Sequence, residues 1–186
     1  MTTNAPHPVQ TQWKLDPAHT LVEFTARHMM ITNVRGHFTG VEGTITIDHD
    51  HPAESSVEAR IDPASLTTGV VDRDNHLRSA DFLHTEQYPD ITFRSTEISG
   101  NYRQAGDSFT VKGDLTIGGT TRPVTLDVEF EGEAKDPWGG TRVSFSADTK
   151  IDRRDFGLTW NKALEAGGVL VGNDIRIHIE AQAVAV

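Results

Sequence analysis

Along most of the chain, from Trp13 onward, apolar residues recur at every second position, the period of a strand with one dry face. In VEFTARH, Val22, Phe24 and Ala26 share a face. In VEGTITID, Val41, Gly43, Ile45 and Ile47 alternate with Glu42, Thr44, Thr46 and Asp48. VEARI and ITFRS repeat the pattern with Val57, Ala59 and Ile61, and with Ile91, Phe93 and Ser95. FTVKGDLTI sets Phe109, Val111, Gly113, Leu115 and Ile117 against Thr110, Lys112, Asp114 and Thr116. VTLDVEF, VSFSADTKI and IRIHIEA continue it through Val128, Phe145 and Ile177.

The pattern predicts about eight strands. One-sided alternation belongs to antiparallel sheet, because parallel strands are usually buried on both faces. IGGTTRP and DPWGGT supply short Gly/Pro turns of the kind that make hairpins. Such strands stack as two sheets or close into a barrel. A barrel strand of ten residues at ~3.3 Å each, tilted by about 40°, spans roughly 25 Å of height. A hollow tube of that depth would suit a long hydrocarbon chain. The inward positions mix bulky residues with Ala26, Gly43, Ala59, Gly113 and Ala147, and the pattern leaves a hollow and a filled interior equally open.

Three stretches break the alternation. RHMMITNVRG, Arg27 to Gly36, is apolar without a period of two and is read as a helical turn. VVDRDNHLRSADFL offers Asp72 or Asp74 as the N-cap of a short helix holding His76 and Leu77. DRRDFGLTWNKALEAGG is a long connection with Phe156, Leu158 and Trp160, longer than a hairpin needs. Residues 1–12 read as a flexible tail ahead of a single domain over 13–186.

Composition narrows the function. The chain of 186 residues fits one domain with a useful core. Cys is absent, which removes disulfides, thiolate nucleophiles and cysteine metal sites. No apolar run approaches the ~18 residues of a membrane span, and the start MTTNAPHPVQTQ has neither the basic nor the apolar part of a secretory signal, so a cytoplasmic location is expected. A net charge of −10 makes nucleic acid a poor partner. Phe24 to Val41 is nevertheless acid-free and holds Arg27, His28, Arg35 and His37. Whether the domain works alone or as a homodimer stays open.

Candidate chemistry is sparse. His76, Asp81, His84 and Glu86 match no metal-ligand spacing, and HExxH does not occur; we read them as rim residues around Leu77, Phe82 and Leu83. His49 and His51 in DHDHP are i, i+2, but Asp, His and Pro in succession are ordinary turn composition. There is no G-x-S-x-G elbow, and TIGGTTRP joins two strands without opening a helix on which a phosphate could sit. No catalytic or metal-ligating residue is therefore assigned. Met29 and Met30 are either core or an adaptable pocket wall.

Several motifs together carry a resemblance. They are D-P-x-H-[ST] at Asp16 to Thr20, R-D-x-H-L-R-S-x-D-F at Arg73 to Phe82 ahead of YPDITF, and R-x-D-F-G-L at Arg153 to Leu158. From about Trp13 to Ala183 the chain resembles the YceI-like, polyisoprenoid-binding family. The resemblance implies a lipocalin-like, all-β, antiparallel up-and-down barrel with short helices covering one end. It implies binding of an isoprenoid or other long amphiphile, quinone-like or phosphorylated, with no required cofactor and no known catalysis; many relatives are exported. On that reading Phe24, Met29, Met30, Phe38, Phe82, Leu83, Phe93, Phe145, Phe156 and Trp160 are expected to line the cavity. Arg27, His28, Arg35, His37, His76 and Arg78 are expected at the rim or head group, with His76 and Arg78 fixing their loop. The alternatives are an enzyme using His and carboxylates at the mouth, or a filled barrel serving as a structural module.

Overall fold

The computed structural model describes residues 10–186. Its strands are β1 (Gln10–Leu15), β2 (Leu21–His28), β3 (Thr32–Phe38), β4 (Val41–Asp48), β5 (Ser56–Ile61) and β6 (Leu66–Thr67), then β7 (Ile91–Gly100), β8 (Ser108–Ile117), β9 (Thr120–Lys135), β10 (Thr141–Asp152) and β11 (Val171–Ala185). One helix, α1 (Val71–Arg78), lies between β6 and β7. All pairings are antiparallel.

The first six strands act as three. β11 pairs with β2 along most of one edge and with β1 at its C-terminal end, where Ala183 faces Leu15. β1 pairs with β4 and β2 with β3; β4 pairs with β5 and β3 with β6. Thus β1 and β2 form one long wall strand broken once, and so do β3 with β4 and β5 with β6. With β7 through β11 they close an eight-stranded barrel in which chain neighbours are also wall neighbours, and closure leaves no open edge.

Two of the three breaks share a chemical cause: they are Asp-Pro-Ala turns, Pro17–His19 and Pro63–Ser65. Proline lacks the N–H a ladder needs, and the preceding carboxylate caps the turn: Asp16 accepts from the Ala18 amide at 3.0 Å and Asp62 from the Ala64 amide at 2.9 Å. The breaks are stitched to adjacent wall strands, with the Asp62 amide donating to the Gly40 carbonyl and the Asp16 amide to the Gln182 carbonyl, each at 2.8 Å.

The two barrel ends differ. One gathers the β2–β3 turn, α1 and its loop to β7, the β8–β9 turn, and the long β10–β11 connection; we call it the α1 end. The other holds the β4–β5, β7–β8 and β9–β10 connections and the C-terminus.

Three expectations are corrected here. The strand begins at Gln10, so residues 10–12 pair with Thr46–Asp48 instead of forming tail; residues 1–9 of the expected tail lie outside the described residues. RHMMITNVRG is a hairpin, because His28 pairs with Thr32 and the chain reverses through Met29 and Met30 at positive φ. The helix is present, but its N-cap is Val70, with no side-chain cap. Asp74 instead turns back to accept from the Thr68 amide at 2.8 Å.

Candidate ligand-binding cavity

The inward faces enclose a cavity of about 310 Å³ that follows the barrel axis, at the lower end of the ~300–1,000 Å³ range of ligand sites. Its exposed wall is wholly apolar. Every wall strand contributes, for example Val22, Ile45, Ile61, Val111, Val128 and Ile179. Inward-facing Phe24, Phe93, Phe145, Ile177 and Ile179 are only half-buried. The cavity borders all five, so the interior is hollow and not stoppered by its own side chains.

Of the residues expected to line it, Phe24, Phe38, Phe82, Leu83, Phe93 and Phe145 do so. Met29 and Met30 do not; they stand exposed at the tip of the β2–β3 turn, since a hairpin reversal points its central side chains away from the wall. Phe156 is buried beside the cavity in solid core. Trp160 does not line it and packs against the cover at the α1 end, its ring centroid 4.6 Å from that of His76 and 5.3 Å from that of Phe82. Arg35 and His37 alternate with inward Gly36 and Phe38, which puts them on the outer face. Arg27 is also outside, donating to the Met30 carbonyl and the Asn33 side chain, each at 3.1 Å. His28 closes the β2 side of the hairpin opposite Thr32.

At the α1 end, Leu77, Phe82 and Leu83 form the inner surface of the cover. His76 bonds Asp81 at 2.8 Å and lies edge-on to Phe82, with ring centroids 5.0 Å apart. Arg78 reaches under the helix to donate to the Ala64 carbonyl at 2.9 Å and the Leu66 carbonyl at 2.7 Å. These bonds anchor the cover to the β5–β6 break.

Sequence reasoning passed over two wall features. Arg153 is 3% exposed and borders the cavity. Its guanidinium donates to three backbone carbonyls, those of Leu158 at 2.6 Å, Gly172 at 3.0 Å and Val171 at 3.4 Å. Burial holds its pKa below the ordinary arginine value. At the far end Ser55 and Tyr102 share a hydroxyl–hydroxyl bond, and burial pushes the Tyr102 phenol upward. Ser55 also accepts from the buried Asp48 amide at 2.9 Å. Among the described residues no cluster of three His, Asp or Glu could hold a metal ion.

Residues 13–183 match the family model described as the YceI-like domain. The chain belongs to the YceI-like family. Protein YceI of Escherichia coli O17:K52:H18 is 40% identical over 152 residues, covering 81% of this chain and 78% of that protein. Two solved structures share the YceI-like barrel. Burkholderia cenocepacia BcnA has a TM-score of 0.76 and 22% identity, over 90% of this chain and 98% of that one. A polyisoprenoid binding domain from Saccharophagus degradans, implicated in plant cell wall breakdown, has a TM-score of 0.70 and 13% identity, over 94% and 98%. At those identities the likeness concerns the fold. It agrees with the expected lipocalin-like architecture of the YceI-like chain.

Proposed function

We propose that the barrel binds a long-chain amphiphile, an isoprenoid or similar lipid, with the chain inside and the polar head at the α1 end. The observation that carries this reading is the axial cavity whose exposed wall has no polar atom. Burying a polar head there without a partner costs roughly 2–7 kcal/mol, whereas each CH₂ taken from water contributes about 0.8 kcal/mol. The chain therefore enters and the head, quinone-like or phosphorylated, stays near His76 and Asp81. The naming of a structural relative as polyisoprenoid binding supports the ligand class. Binding, and not turnover, suits this interior, since acid–base or nucleophilic work needs polar groups facing the guest.

Native mass spectrometry of detergent-free protein from cells tests the reading. A bound mass in the range of a long-chain lipid is expected, lost in Ile177→Trp, which fills the lumen. No bound mass, and equal uptake of a fluorescent long-chain probe by both proteins, overturns it.

A further inference from the structure

We propose that the α1 end docks on an anionic lipid bilayer surface through the tip of the β2–β3 hairpin. Met29, Met30 and Ile31 are 42%, 55% and 71% exposed. Val70 and Val71, at the start of α1, are exposed at the same end. Among the described residues the other large exposed apolar side chains are Trp138 and Val186, both at the opposite end.

The tip is also strained. His28 accepts from the Ile31 amide at 3.1 Å, closing a turn whose central residues, Met29 and Met30, have φ of 50° and 62°. Asn and Gly favour that conformation and bulky side chains do not. The same chain builds its β8–β9 turn at similar φ from Gly118 and Gly119, so its own solution to this geometry is glycine. The strain is locked in place: the Met29 amide donates to the Leu170 carbonyl at 2.8 Å, and Arg27 ties down the Met30 carbonyl. Two methionines held where glycine fits better, and turned toward water, suggest a contact made outside the molecule.

Charge selects a bilayer as the occupant. The hairpin from Phe24 to Val41 carries Arg27, His28, Arg35 and His37 and no acid, in a molecule of net charge −10. An apolar tip with basic flanks is the composition that inserts shallowly into an anionic interface. The α1 start adds Asp72 as well as Arg73, so the charge argument rests on the hairpin. Docking is peripheral, because the outer wall presents Lys112, Asp114, Asp127 and Arg176, which a bilayer interior excludes. The purpose of docking rests on the carrier reading: a long-chain lipid is exchanged where lipid is.

Co-sedimentation with vesicles tests this, comparing phosphatidylcholine alone with phosphatidylcholine plus phosphatidylglycerol. The native chain is expected to favour the anionic vesicles and to release as salt rises. M29N/M30G relieves the turn, so its melting temperature should rise while vesicle partitioning falls about tenfold or more. Equal partitioning of the two proteins overturns the proposal, as does failure of the native chain to sediment. A concentration-dependent dimer that the substitutions abolish, without vesicle binding, assigns the tip to a second copy instead. Native mass spectrometry separates the two readings: a native chain that sediments through the tip but carries no lipid refutes the carrier and keeps the docking.

Discussion

The ring of Phe93 lies across Gly113 on the neighbouring strand, so close that a Cβ on the glycine would collide with the ring edge and stand 2.6 Å from the Arg94 carbonyl. Both residues face inward, and the absence of a side chain on β8 is what lets the phenyl ring lie against the wall. Gly113→Ala should lift Phe93 into the lumen, narrow it, and cost about 1–3 kcal/mol. Urea unfolding and uptake of a long-chain fluorophore check the two effects together. Uptake unchanged alongside lost stability would mean the ring moves elsewhere.

Arg153 fastens the β10–β11 connection to the start of β11 through the carbonyls of Leu158, Val171 and Gly172. Arg153→Met strips the side-chain donor from the Leu158 and Gly172 carbonyls in a buried place, while Val171 keeps the Asn161 side-chain amide at 2.7 Å; a loss of about 3 kcal/mol is expected by chemical denaturation. Arg153→Lys should recover only part of it, because an ammonium cannot reproduce the planar fork.

At the far end, Tyr102→Phe removes a hydroxyl that bonds Ser55 and reaches the Pro52 carbonyl at 3.3 Å. About 1 kcal/mol should be lost. Ser55→Ala should cost more, since it also strips the acceptor from the Asp48 amide. Equal losses in the two variants would contradict this order.

Stability should fall in acid. The Asp16 carboxyl is held down to about 2 by its bond to His19 and then by that to Arg142, and Asp152 is held to about 2 by Arg154. Both lie below the ~3.9 of an unfolded aspartate, so their contribution is complete above that value and disappears as pH drops from about 4 toward 2. Unfolding free energies across this window should decline for the native chain and decline less for Asp16→Asn. The two curves should converge near the acid end.

Much of the wall was legible in the sequence because a period of two needs no tertiary knowledge. Val22 and Phe24, or Val111 and Leu115, announce their face by alternation alone. The β3 strand escaped detection because Gly36 interrupts its apolar face. Its reason lies across the sheet, where a Cβ would meet the Phe24 ring at 2.5 Å. Met29 and Met30 misled because an apolar pair reads as interior until the hairpin register is known. Arg153 sat in a quoted motif, yet two of its partners lie 18 and 19 residues away. Whether the lumen was hollow depended on how rings such as Phe93 tilt, which composition does not record.

The uniform wall has one further implication. With no polar atom exposed to the lumen along its depth, nothing inside would stop a tail from sliding up or down, and only the head, catching at the entrance, would set how far it sinks. Affinity should then climb with each added carbon until the tail touches bottom and level off afterwards. The barrel would act as a depth gauge, sorting guests by reach and not by shape.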